Sequence, residues 1–454
     1  MAISREKFLI KDTINSAEFK SKIYSYRDQE RIRNGWLKKR FDEVLPMLME
    51  RSGIDLWVVC CREYNEDPVL TTLVPVSMMS ARRTTILVFY LQPDKTVKRM
   101  ALTRPGVGLD DYYEAVWTNP KNSNWSDGKS LLPDGKDVKP ASKPETQFEC
   151  LARIIKECNP KKVGLNISKD YAFADGLSKQ LYDEMVAEFD EDIKAKITSA
   201  ADLCVGWLET RTEEELAAYT GIMQIAHGII DEAFSSRVII PGVTTNADVK
   251  YFMLQRTIDL GLTPWFDYEV SIRRAKVGEI YHEAIIMPGD LLHCDIGFRY
   301  LNLCTDTQEN AYVLKMDETE APAYLTHALK VVNRLQDITI SSFKEHLTGN
   351  QILAKALAKA KDEGINACIY THPINHHGHG AGPTIGLWDM QNGVKGTGDY
   401  PLYNNTLYSL ELNAKVDIPQ WDMVLTLGAE TDIMFANDRV FYVAGRQEQF
   451  HLIK

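Results

Sequence analysis

Acidic side chains interrupt strand-like apolar runs at four places, and this pattern constrains the chain more than any other feature. Asp295 falls in HCDIGFRY (293–300), Asp306 in CTDT (304–307), Glu411 in LYSLELNAKV (407–416) and Glu430 in LTLGAETDIMF (425–435). An ionised carboxylate inside a β-like run is costly unless it is paired or bound to a cation. Asp295 and Asp306 are eleven residues apart. A strand, a turn and a returning strand would bring them side by side. Two adjacent carboxylates repel, and a divalent cation relieves the repulsion.

The densest histidine region, THPINHHGHGAGPTIG (371–386), holds His372, His376, His377 and His379 among glycines. Imidazole is a common metal ligand, and glycine lets backbone approach a ligand closely. Neither phosphate-loop glycine pattern is present. A zincin pattern also fails, because no histidine follows His282-Glu283 at position 286. Taken together, the elements offer Asp, Asp, His, Glu, Glu in chain order. Hard oxygen donors with one imidazole suit Mn²⁺, Co²⁺ or Zn²⁺. Five such ligands are more than one catalytic ion needs and suit a pair about 3.5–4 Å apart.

With 454 residues, the chain is long enough for two or three domains. A polar, helix-prone opening covers Asp28 to Arg51. Strand-like runs follow at Ile54–Cys61 and Thr84–Leu91, then a helical pattern at Gln147–Cys158 and a short strand from Lys162. Strand and helix in alternation predict an α/β N-terminal domain. The polar stretch from Asn119 to Pro144 is the best loop candidate. Thr212 and Glu215 form a capping box at a boundary, opening a helix to about Ser235. Beyond it the pattern is α+β, with helices expected over Ala321–Glu345 and Gln351–Glu363.

The net charge of −11 is spread along the chain without a basic stripe, which argues against nucleic acid or an anionic membrane as partner. No apolar run reaches the roughly 20 residues of a membrane span. The charged N-terminus lacks a signal core, and the eight cysteines form no CxxC pair. Free buried thiols in a cytoplasmic protein are the expectation.

The order D-x-G-x(8)-D, then GHGxG, then a strand glutamate and a last glutamate resembles the creatinase/aminopeptidase P/prolidase/methionine aminopeptidase family. Xaa-Pro aminopeptidases and dipeptidases are the closest members in pattern. The likeness covers about Trp207 to the end. It implies an α/β creatinase-like N-terminal domain (1–205) and an α+β pita-bread catalytic domain (206–454). It assigns Asp295, Asp306, His379, Glu411 and Glu430 as ligands of two divalent metal ions, with Mn²⁺ first and Co²⁺ or Zn²⁺ as alternatives. It implies hydrolysis of the Xaa-Pro bond at a peptide N-terminus by a metal-bridging water. Glu411 would carry the proton, and His282 and His377 would serve as catalytic histidines. A homodimer is also implied. The alternatives are a non-peptidase enzyme on the same fold, such as a creatinase-like hydrolase or a lyase, and an inactive binding module.

The pattern departs from the family in four places. Asn375 stands four residues before His379, where a histidine is usual, and Gly386 stands seven after it, where another is usual. Gly428 replaces an arginine two residues before Glu430, and Gln308 stands where arginine is frequent.

Overall fold

The computed structural model describes residues 16–104, 108–121 and 143–454. Two compact units divide the chain: one comprises residues 26–208, and the other comprises residues 209–454 with the segment through Ser25. The break at 208/209 lies close to the expected 205/206. The difference lies at the N-terminus, where Ser16–Lys22 packs with the second unit because the Phe19 ring lies on Gly228, which has no Cβ to obstruct it.

The first unit is built on a six-stranded sheet in the order Glu114–Ala115, Val97–Leu102, Thr84–Leu91, Leu56–Arg62, Val163–Leu165, Ile197–Ser199. Leu56–Arg62 pairs antiparallel with Thr84–Leu91 and parallel with Val163–Leu165. It is central, so Leu56 to Cys61 is buried on both faces, which explains its unbroken apolar run. The helix Gln147–Cys158 opens on a Thr146/Glu149 capping box and buries Cys150, Leu151, Ile154 and Ile155. Those side chains share one core with Leu56, Val58, Ile86 and Val88. The α/β expectation holds for this unit. Its expected loop, 119–144, lies for the most part outside the described residues.

The second unit opens with the helix Glu213–Ala233, capped by the Thr212/Glu215 box. Three sheets frame its centre. A five-stranded sheet runs His451–Ile453, Thr307–Val313, Leu291–Ile296, Glu269–Arg274, Gly278–Ile280. A three-stranded sheet runs Asn366–Ile369, Leu412–Ile418, Met423–Ala429. A four-stranded sheet runs His372–Pro373, Thr406–Ser409, Asp432–Ala436, Arg439–Tyr442. The helices Ala323–Ile340 and Gly349–Asp362 cover the strands, and Leu329, Val332 and Leu335 share a core with Leu412, Ala414, Leu425 and Leu427. A single bridge, Gln308 to Glu430, ties the five-stranded sheet to the short link between two strands of the other sheets. The carboxylates meet at that junction. All eight cysteines are free. No helix among the described residues is long and apolar enough to cross a membrane.

Candidate metal centre

Strand register brings the first two acids together. Leu291–Ile296 and Thr307–Val313 are antiparallel, with Asp295 opposite Gln308 and Ile296 opposite Thr307. Asp306 directly precedes the second strand, so its carboxylate lies beside that of Asp295. Glu411 precedes Leu412–Ile418, and Glu430 follows Met423–Ala429 in the paired strand. Adjacent pairing therefore delivers both glutamates to the same end of the hairpin.

His372 completes the site. The two-residue strand His372–Pro373 pairs with Thr406–Ser409, placing His372 opposite Ser409. The His372 Nε2 atom lies 3.6 Å from Asp306 Oδ2, 3.7 Å from Glu430 Oε1 and 3.9 Å from Glu411 Oε2. Its Nδ1 is 3.0 Å from the Pro373 carbonyl. A carbonyl only accepts, so Nδ1 carries the hydrogen and Nε2 presents its lone pair. Burial lowers this imidazole to about 4, keeping it neutral. A lone pair aimed at three carboxylates is unfavourable unless a cation lies between them.

The carboxylates carry the same implication. Burial first, and neighbouring charges second, raise Asp295, Asp306 and Glu411 well above the usual carboxylate range. Burial pushes Glu430 up to about 7. Asp295 Oδ1, Asp306 Oδ1, Glu430 Oε2 and His372 Nε2 are all buried without a hydrogen-bond partner among the described residues. Buried polar atoms are normally satisfied, and a cation would satisfy all four. Of the four groups among the described residues whose ligand atoms lie within 4.8 Å of one another, three meet here: Asp295, Asp306, Glu430; His372, Glu411, Glu430; and Asp306, His372, His379.

The sequence-derived residues do not all converge. Asp295, Asp306, Glu411 and Glu430 gather as expected. His379 joins only the third group, beside Asp306 and His372. Its ring lies 4.8 Å from that of His372 and 5.3 Å from that of Trp265, edge-on to both. Burial lowers it to about 4, with His372 adding to the effect, although the residue as a whole is exposed. His282 and His377 are in none of the groups. His282 is exposed on the segment after Gly278–Ile280, where its carbonyl accepts a hydrogen bond from Asn246. His377 is half-buried, and its backbone N–H donates to Asn375 Oδ1.

Two further residues at the site carry no local signal in the sequence. His372 was one of four histidines with nothing local to single it out. Asp432, fully buried, accepts the Asp306 backbone N–H at 3.4 Å and so holds the loop that presents Asp306. Ser409 Oγ donates to Glu430 Oε1 at 2.5 Å. On the opposite face of Thr307–Val313, Glu309 accepts from His227 and His451, which is a separate buried arrangement.

Four enclosed carboxylates, three of them within 4.0 Å of one imidazole, make a donor set that suits a divalent cation. The model of metallopeptidase family M24 matches residues 221–434, so the second unit carries a domain of that family. An X-Pro aminopeptidase from Thermotoga maritima MSB8 is 15% identical with a TM-score of 0.58, over 89% of this chain and 99% of that one. An Xaa-Pro dipeptidase from Bacillus anthracis is 16% identical with a TM-score of 0.56, over 93% and 99%. The N-terminal domain of FACT complex subunit SPT16 from chickpea is 12% identical with a TM-score of 0.52, over 97% and 100%. These likenesses show a shared fold, the pita-bread fold of the family. No curated protein matches the chain.

Proposed function

We propose that the chain is a dinuclear-metal peptidase that hydrolyses the Xaa-Pro bond at a peptide N-terminus. The observation that carries this is the sharing of ligands. Asp306, Glu430 and His372 each belong to two of the ligand groups, so the groups overlap in one site whose donors would suffice for two cations. Asp295 completes one set, and His372 with Glu411 the other. Mn²⁺ fits the oxygen-rich donors best, with Co²⁺ and Zn²⁺ next. Such cations, when bound, polarise a carbonyl and acidify water.

In this reading His372 takes the ligand place that the GHGxG pattern gives to His379. The family spacing of seven residues from the metal histidine to a second histidine then falls on His379 itself. A neutral His379 beside the cations can donate a hydrogen bond to the scissile carbonyl. Glu411 is the most open of the glutamates, its side chain 17% exposed against 1% for Glu430. That suits a group that takes a proton from water and returns it to the leaving amine. Trp265 and Phe266, with ring centroids 4.4 Å apart, form an aromatic wall beside His379 against which a proline ring can pack.

The test is reconstitution with Mn²⁺, Co²⁺ or Zn²⁺ and assay on Xaa-Pro dipeptides, Xaa-Pro-Yaa peptides and creatine. Release of the residue before proline, abolished by Asp306→Ala, is the expected result. A metal-loaded protein inert on every peptide refutes it. The second reading, a non-peptidase enzyme on this fold, draws on Gly428 and Gln308 standing in the two arginine places. Turnover of creatine with none of peptide would favour it. A homodimer is part of the proposal, checked by sedimentation.

A further inference from the structure

Gln308 sits across the strand pair from Asp295 and is buried. Its carboxamide Nε2 carries two N–H groups. One donates to Glu411 Oε1 at 2.5 Å and the other to Asp295 Oδ2 at 3.3 Å. Its Oε1 lies 3.0 Å from His293 Nε2. His293 is two residues from Asp295 in the same strand, so both side chains point to one face. The two carboxylates demand the NH₂ end of the amide, and the His293 Nε2–H demands the oxygen end. Together they leave a single orientation for the carboxamide. Gly428 supplies the room. A Cβ there would lie 3.0 Å from Gln308 Oε1 and 3.2 Å from His293 Nε2, against the hydrogen bond itself.

We propose that Gln308 is a positioning residue that aims Asp295 and Glu411 at the cation pair, with His293 fixing the orientation of its amide. This rests on the reading of the carboxylates as metal ligands. Asp295 and Glu411 fall in different ligand groups, so one neutral side chain sets the spacing between the two halves of the site. Being uncharged, it leaves the four carboxylates to be balanced by the cations alone.

The test compares the full chain with Gln308→Leu and His293→Phe. Mn²⁺ affinity is read by calorimetry, alongside the melting temperature of the metal-free protein and kcat and KM on an Xaa-Pro peptide. Loss of an outer-shell partner costs about 10–100-fold in metal affinity. Gln308→Leu is expected to lose that much and to lower kcat with KM little changed, the metal-free melting temperature staying within a few degrees of the parent's. A fall in melting temperature with affinity intact would mark a merely structural role and overturn the proposal. His293→Phe leaves Gln308 in place and carries the test if Gln308→Leu does not fold. It should weaken Mn²⁺ in the same direction, and parent affinity in it overturns the proposal. If the parent itself binds no Mn²⁺ at micromolar concentration, the metal reading falls and this falls with it. If the parent binds and Gln308→Leu binds equally, only the positioning role is lost.

Discussion

Removing the cations should give the catalytic unit a pH dependence that the loaded protein lacks. Without them, four carboxylates share one buried cleft, and folding favours their protonated forms. Glu430 is raised from 4.5 to about 7, with burial the cause. A group whose folded value exceeds its unfolded one contributes stability that is fully present below the unfolded value. That contribution is lost as pH rises through the folded value. The window for Glu430 is therefore about 4.5 to 7. At about 1.4 kcal/mol per pH unit, Glu430 alone withdraws roughly 3 kcal/mol across it. For a unit of the size of residues 209–454, that is about 6–12 °C in melting temperature. Asp295, Asp306 and Glu411 are raised in the same direction and deepen the effect. Bound cations hold all four carboxylates ionised and remove the slope. The assay is calorimetric melting of chelator-treated and Mn²⁺-loaded protein from pH 5 to 8. The gap between the two melting temperatures should widen with pH, and proton release on Mn²⁺ binding should be larger at pH 6 than at pH 8. A gap that stays flat over this range refutes the reasoning.

Four other substitutions discriminate among the residues. His372→Ala should cost the protein part of its bound metal, while His379→Ala should keep the metal and lose about 10²–10³-fold in kcat; metal analysis beside steady-state kinetics decides it. Glu411→Gln should retain cation and lose about 10²–10⁴-fold in turnover, and equal turnover would remove its proton-carrying role. In the first unit, burial raises Asp67 to about 6, outweighing the hydrogen bonds it accepts from Val69 N–H and Asn166 Nδ2. Its stability contribution is present below about 3.8 and lost as pH rises through about 6. Asp67→Asn should flatten that slope in urea unfolding of the metal-loaded protein.

Much of the architecture was legible because each signal was local. The Thr212/Glu215 box marks its helix start in four residues. Leu56–Cys61 reads as a strand because a central strand is apolar on both faces. The acids stood out for the opposite reason, as charges in runs that the fold buries. Asp432 is one such charge too, but Glu430 two residues earlier already accounts for a charge in that run, so the sequence does not set it apart. The assignment of Ser16–Lys22 to the second unit depends on one ring over one glycine, a contact between distant parts of the sequence.

The histidine loop shows most clearly what a motif leaves out. Its glycines invite the reading that backbone must approach a metal beside His379. In the fold they make room for side chains. A Cβ on Gly378 would meet the Trp265 indole at 2.3 Å, and one on Gly380 would meet Asn375 Nδ2 at 2.4 Å. Gly382 lies against Pro373 with φ +140, a conformation that other residues rarely adopt. The pattern GHGxG therefore records how the loop folds over Trp265 and Pro373, while His372 and His379 both offer a ring nitrogen within ligand reach of Asp306. Pairing separates the two. His372 is in a strand, its neighbour across the sheet is Ser409, and Ser409 Oγ already holds Glu430. His379 is seven residues further on, between Gly378 and Gly380, where its ring meets Trp265. An imidazole fixed by a ladder is a better ligand than one carried by a loop, because its lone pair is aimed before the cation arrives. On the proposed reading, the loop imidazole of His379 keeps the freedom to meet a substrate.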